Sequence, residues 1–83
     1  MTFQIILTKM AIKDLKNLPK TIQLRIISKL NEMKQNPFKN ARKLIDPRIG
    51  NYRTRAGDYR IIFDVDDNRV VILRIGHRKH IYK

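Results

Sequence analysis

The chain has 83 residues, 19 of them lysine or arginine against 7 acids, for a net charge of +12. That is enough for one small domain. With no cysteine and no apolar run near the roughly 20 residues of a spanning helix, it excludes a disulfide scaffold and a helical membrane protein.

Phe3, Ile5 and Leu7 alternate with Thr2, Gln4 and Ile6, which predicts a strand. The same start lacks the basic flank and long apolar stretch of a secretion signal, so a cytoplasmic location is expected. Thr8 suits a helix N-cap, because its hydroxyl can accept from first-turn amides. Ala11, Leu15 and Leu18, with Ile12 beside them, then mark a short amphipathic helix. Pro19 cannot continue that helix but fits the start of another. Ile22, Ile26, Leu30 and Met33 form the stripe of a second helix, flanked by Ile27, with Lys20, Arg25, Lys29 and Lys34 off it. Asn36-Pro37 ends it. Residues 37–49 are a basic loop with room for one short strand near Arg42–Ile45. Three strands follow, about Asn51–Ala56, Tyr59–Val65 and Arg69–Ile75. Gly57-Asp58 is the two-residue tip of the first hairpin, and Asp66-Asp67-Asn68 a three-residue tip for the second. There is no internal repeat and no second domain: residues 1–83 form one unit of class α+β, with two helices on one face of a small, mainly antiparallel sheet.

Strand parity assigns the arginines. Tyr59, Ile61, Phe63 and Val65 share one face of the middle strand; Val71, Leu73 and Ile75 share one face of the last. A three-residue loop brings these sets together toward the helices, pairing Val65 with Arg69, Phe63 with Val71 and Ile61 with Leu73. Tyr52, Thr54 and Ala56 join them. The opposite face then gathers Arg53, Arg55, Arg60, Ile62, Asp64, Ile72 and Arg74. If the alternation continues, Gly76, Arg78, His80 and Tyr82 follow on that face, and His77 falls on the core side. Arg55–Arg60 and Arg60–Arg74 become opposed like charges, each costing about 0.2–1 kcal/mol. A single arginine is ordinarily just a solvated surface group. Five on one face of a chain with this charge excess point to a polyanion. Nucleic acid is the first candidate partner, an acidic protein the second, and an anionic membrane surface the last, since the helix stripes are core-directed.

RNA supplies its own nucleophile, the 2′-hydroxyl. Cleavage needs that hydroxyl held in line with the adjacent phosphate, charge stabilised on the phosphorane, and two proton transfers. Guanidinium groups suit the second task because they stay charged and offer forked donors. His77, His80 or Tyr82 are candidates for proton transfer, and a tyrosine ring can also stack on a base. This route requires no metal or cofactor. His77 and His80 are three apart, but on a strand they face opposite ways and no cysteine or nearby carboxylate completes a zinc site. Asp66 and Asp67 are turn residues. Ser28, the only serine, lies in a helix, and phosphate-loop glycine motifs are absent.

The Leu18-Pro19 junction, Tyr52-Arg53-Thr54-Arg55, Gly57-Asp58-Tyr59-Arg60, and Gly76-His77-Arg78 through Ile81-Tyr82 resemble RelE-type toxins of the RelE/ParE superfamily, from type II toxin–antitoxin modules. The resemblance covers almost the whole chain. It implies a microbial RNase-like fold and a ribosome-dependent mRNA endonuclease that works in the 30S decoding site on mRNA. It also implies an acidic antitoxin, with the toxin a monomer when free and part of a hetero-oligomer when neutralised. It gives catalytic roles to Arg53, Arg55, Arg60, Arg78 and Tyr82; Arg74 and His80 have no counterpart and rest on parity alone. The Arg78-to-Tyr82 spacing is shorter than in some relatives, and no glutamate matches the general base that one branch uses. The ParE branch shares the fold but poisons DNA gyrase and lacks the RNase residues. A non-catalytic RNA-binding module is the third reading.

Overall fold

A computed structural model describes residues 2–44 and 50–81. The elements run β1 (Gln4–Leu7), α1 (Lys9–Lys16), α2 (Lys20–Met33), β2 (Arg42–Lys43), β3 (Tyr52–Ala56), β4 (Tyr59–Asp66) and β5 (Arg69–His77). The strands form one sheet in the order β1-β5-β4-β3-β2, with β1 parallel to β5 and every other neighbour antiparallel. This is the α+β architecture that the hydrophobic pattern predicts, with the basic loop contributing a two-residue edge strand.

Thr8 caps α1: its Oγ1 accepts from the Ala11 amide at 3.1 Å. The same hydroxyl donates to the Leu73 carbonyl at 3.1 Å, so one side chain both starts the helix and ties it to β5. Pro19 occupies the N-cap of α2. The Gln23 amide Nε2 donates to the Leu18 carbonyl at 2.9 Å and fixes the junction between the helices. After α2, the Phe38 amide donates to Asn36 Oδ1 at 3.1 Å in a side-chain-closed turn.

The core lies between the helices and one sheet face. Ala11, Ile26, Leu30 and Met33 meet Ile61, Phe63, Val70, Ile72 and Ile75, all buried. Burying each of the larger side chains stabilises the fold by about 1.5–3 kcal/mol. Tyr52 stacks on Phe63 at 5.6 Å, and Phe38 meets Tyr52 edge-on at 5.4 Å.

The second hairpin differs from the parity reading, and the difference is physical. Asp66 pairs with Arg69, so the loop is two residues, Asp67-Asn68, with Asp67 at φ 59°. Val65 therefore pairs with Val70 and Phe63 with Ile72, not with Arg69 and Val71. Left alone, this register would turn Arg74 into the core. A bulge intervenes: Phe63 pairs with Ile72 but Ile62 pairs with Arg74, leaving Leu73 as the extra residue. Parity flips there, so Ile75 rather than Leu73 faces Ile61. The core face of β5 is thus Val70, Ile72 and Ile75, and Ile72 leaves the arginine face where simple alternation had put it.

The strand also stops earlier than continued alternation requires. Beyond His77 the chain closes a helical turn, with the His80 and Ile81 amides donating to the His77 carbonyl at 2.9 and 3.0 Å. Ile81 is buried and packs where a Gly76 side chain would stand, its Cδ1 3.4 Å from that position.

Candidate nucleic-acid interface

Two cross-strand rows organise the sheet face turned away from the helices. In one row Arg42 lies opposite Arg53, Arg53 opposite Ile62, and Ile62 opposite Arg74. In the other, Arg55 lies opposite Arg60, and Arg60 opposite Gly76. The sharp β3–β4 turn that aligns Arg55 with Arg60 depends on Gly57, which sits at φ 63°. The predicted Arg55–Arg60 pair is present. The predicted Arg60–Arg74 pair is not, because the bulge moves Arg74 one position along and sets Gly76 beside Arg60.

The face is not uniformly wet. Ile62 is fully buried, and the Gly50 backbone lies directly on it. A Cβ at Gly50 would stand 2.6 Å from Ile62 Cγ2 and 2.9 Å from Leu73 Cδ1. The Asn51 amide donates to Asp64 Oδ1 at 2.7 Å and pins the chain there. This apolar plug divides the two ends of the first row.

Arg74 lies beyond the plug and has another task. Its Nε and Nη2 donate to the Asp14 carboxylate at 2.8 and 3.3 Å. The Ile75 amide donates to the same carboxylate at 3.0 Å. β1 covers β5 only as far as Ile72, so Asp14 supplies the acceptor that a neighbouring strand would have given. The hydrogen bond to Asp14 raises the Arg74 pKa above its ordinary value against the opposing effect of burial, with the ionic attraction adding to the rise. Arg74 shares the face that parity assigned to it, but it is committed to holding α1 and is not part of the arginine groove.

That groove has a volume of about 820 Å³ and is lined by Lys29, Asn40, Ala41, Arg42, Arg53, Thr54, Arg55 and Arg60. Because β2 ends at Arg42, opposite Arg53, the β3 edge is open beyond it among the described residues. Two buried polar atoms beside the groove, Arg60 Nη1 and Thr54 Oγ1, have no hydrogen-bond partner among the described residues. An unmet buried polar atom costs about 1–3 kcal/mol, and more on a charged group, so Arg60 Nη1 favours an added acceptor and Thr54 Oγ1 an added partner of either kind. Five cationic side chains and an unmet guanidinium nitrogen give this groove the chemistry of a phosphate cradle.

Arg53, Arg55 and Arg60 therefore come together as the parity reading expects. Arg78 stands apart from the groove lining, exposed at the start of the C-terminal turn, where its amide donates to the Asp58 carbonyl at 2.9 Å. Tyr82 lies outside the described residues. His77 falls on the core side, opposite Tyr59, with the rings 5.4 Å apart and nearly perpendicular. His80 does not continue on the arginine face. The turn brings its ring 5.9 Å from His77, so the two histidines do not point apart. Among the described residues, no three metal-ligating side chains cluster.

Sequence reasoning missed Lys29, Asn40, Arg42 and Thr54 as groove residues. Helical periodicity placed Lys29 off the apolar stripe, which marks it as solvated, yet its side chain is only 15% exposed. Thr54 belongs to the core side by parity, and only the short β2 leaves its edge open.

Two helices on one face of a five-stranded mixed sheet, with basic side chains concentrated at the far edge, define a compact α+β domain. Residues 5–82 match the family described as ParE toxin of type II toxin-antitoxin system, parDE. The chain belongs to the RelE/ParE superfamily of toxins from type II toxin–antitoxin systems. It is 34% identical to toxin RelE3 of Methanocaldococcus jannaschii, covering 95% of this chain and 94% of that protein. It is 30% identical to toxin RelG of Mycobacterium tuberculosis, covering 100% and 99%. Its fold is similar to a chain of the toxin–antitoxin complex RelBE2 from Mycobacterium tuberculosis, with a TM-score of 0.84 and 28% identity over 94% of this chain and 100% of that one.

Proposed function

We propose that this toxin is a ribosome-dependent mRNA endonuclease that cleaves by attack of the 2′-hydroxyl on the adjacent phosphate. The observation that carries this reading is the groove beside Arg53, Arg55 and Arg60, where the Arg60 Nη1 is buried and unmet among the described residues. Arg53 and Arg55 hold the phosphate, and Arg60 stabilises charge on the phosphorane. Arg78, presented by the C-terminal turn, reaches the strand from the groove's far side, and Tyr82 stacks on or helps activate the nucleotide. The nucleophile belongs to the substrate, so the protein's part is orientation and charge stabilisation without a metal. Products are a 2′,3′-cyclic phosphate and a 5′-hydroxyl.

An acidic antitoxin neutralises the toxin in the cytoplasm. Support comes from the net charge of +12 and from similar structures that are RelB–RelE complexes, including the archaeal one from Pyrococcus horikoshii OT3, at 30% identity and a TM-score of 0.77. No helix among the described residues is long and apolar enough to cross a membrane.

Induction in cells, followed by mapping of 5′ ends on translated mRNA, tests the activity. New 5′-hydroxyl ends should appear with the wild type and vanish with Arg60→Ala and Arg78→Ala. Intact message during growth arrest sinks the endonuclease reading. The match to the ParE description favours a second reading, a gyrase inhibitor. Stalled purified gyrase alongside uncut message would select it.

A further inference from the structure

His77 is half-buried at the end of β5, and besides the His80 ring 5.9 Å away its ring makes two contacts of different kinds. One edge meets the Tyr59 ring, 5.4 Å away at 84°. On the other side, Nδ1 accepts a hydrogen bond from the Lys79 amide at 3.1 Å. An imidazole nitrogen accepts only when it carries no proton, so this bond keeps the ring proton on Nε2. That leaves Nδ1 no proton to give and no lone pair to take one while the turn is closed.

The Lys79 amide is one of several groups that His77 organises. The His77 carbonyl accepts from the His80 and Ile81 amides. Between these bonds stands Arg78, whose own amide is fixed to the Asp58 carbonyl at 2.9 Å. The turn is thereby tied to the β3–β4 hairpin tip on one side and to the His77 ring on the other. The side-chain bond from residue i to the amide of residue i+2 has the geometry by which asparagine and aspartate close turns. Without it, the Lys79 amide loses its partner and the segment carrying Arg78 gains freedom at the point where it leaves the sheet.

We infer that His77 is a positioning residue: its Nδ1 closes the C-terminal turn and so fixes Arg78, instead of moving protons in the reaction. This rests on the endonuclease reading only for Arg78's role; closure of the turn stands on geometry alone.

Two variants separate the ring from its acceptor. His77→Phe keeps an aromatic ring against Tyr59 but cannot accept from Lys79. His77→Asn loses the ring, and its Oδ1 can accept from the i+2 amide. Hydrogen exchange at the Lys79 amide and the Arg78 Nε resonance are measured on each protein by NMR, and mRNA cleavage is assayed with Arg78→Ala as reference. His77→Phe should speed Lys79 exchange about fivefold to tenfold, as expected for one lost hydrogen bond. It should shift the Arg78 resonance and lower cleavage toward that of Arg78→Ala. His77→Asn should restore Lys79 protection and most of the cleavage. Unchanged Lys79 exchange in His77→Phe overturns the inference. So does an inactive His77→Asn whose Lys79 amide stays protected, since the imidazole itself is then required. If the wild type cuts no message, the endonuclease reading fails separately, and the two NMR measurements still decide whether His77 positions Arg78.

Discussion

Replacing Asp14 by alanine should destabilise the protein by detaching α1 from β5. Its carboxylate accepts from Arg74 Nε at 2.8 Å, Arg74 Nη2 at 3.3 Å and the Ile75 amide at 3.0 Å. Hydrogen bonds to charged groups contribute about 1.5–3 kcal/mol when shielded. Here the Arg74 side chain is 39% exposed and Asp14 17%, so solvent screening takes much of the ion-pair contribution away. The Ile75 bond adds about 1 kcal/mol because it satisfies an edge amide. The expected loss is about 2 kcal/mol for Asp14→Ala and about half that for Asp14→Asn, which keeps one neutral acceptor. For a domain this size, each 1 kcal/mol moves the Tm by about 4–8 °C. Thermal unfolding followed by circular dichroism should therefore show Asp14→Ala melting roughly 8–16 °C below the wild type. A double-mutant cycle with Arg74→Ala should give a coupling of about 1 kcal/mol. A raised Arg74 pKa means that the guanidinium's contribution is fully present below its ordinary, strongly basic value and is lost only above it. The Arg74 side of the pair should thus add no slope to stability near neutral pH. A Tm loss under about 2 °C for Asp14→Ala, or zero coupling to Arg74, would refute the assignment of this carboxylate as the seal on the β5 edge.

Arg55→Thr removes one of two opposed guanidinium groups, so it should raise stability by about 0.2–1 kcal/mol in urea denaturation while weakening RNA binding. Loss on both counts would mean that the Arg55–Arg60 pair is not repulsive in the free protein. Gly50→Ala should cost about 1–3 kcal/mol, since its methyl group would overpack Ile62 and Leu73. A wild-type denaturation midpoint would show that the plug yields freely. RNA affinity should fall steeply with salt. Each of Arg42→Ala and Arg60→Ala should flatten the log–log slope by about 0.7, the value for one single-strand phosphate contact. An unchanged slope removes that residue from the phosphate cradle.

Much of the architecture is legible in the sequence because its signals are local. The apolar stripe from Ile22 to Met33, the cap at Thr8 and the Gly57-Asp58 turn each follow from neighbours within a few residues. So does the Arg55–Arg60 pairing, because a two-residue tip leaves one register. The second hairpin was misread because both its loop length and a bulge six residues away changed, and the two changes cancel by the time the chain reaches Ile75. Either reading brings Ile75 inward; only the contacts of Leu73 with Thr8 and Gly50, residues remote in sequence, separate them. The ion pair of Arg74 is hidden from the sequence for a similar reason. Its partner Asp14 is 60 residues away, and strand alternation carries no information about a helix lying along the sheet edge. In the groove, the three strand arginines were readable, whereas Lys29, Asn40 and Thr54 became so only once α2 and the open β3 edge were in place.

The sheet order has a consequence for how this protein comes into being. The first strand lies against the last, with Gln4 beside Arg69, and α1 grips β5 through bonds spanning 60 to 65 residues. An emerging chain can form helices early, but their apolar stripes have nothing to cover until β4 and β5 have been made. Closure across such distances is late and cooperative. Fragments ending before β5 should be unfolded and readily degraded, and the basic groove should assemble only near the end of synthesis. A toxin would thereby stay inert for most of its own translation.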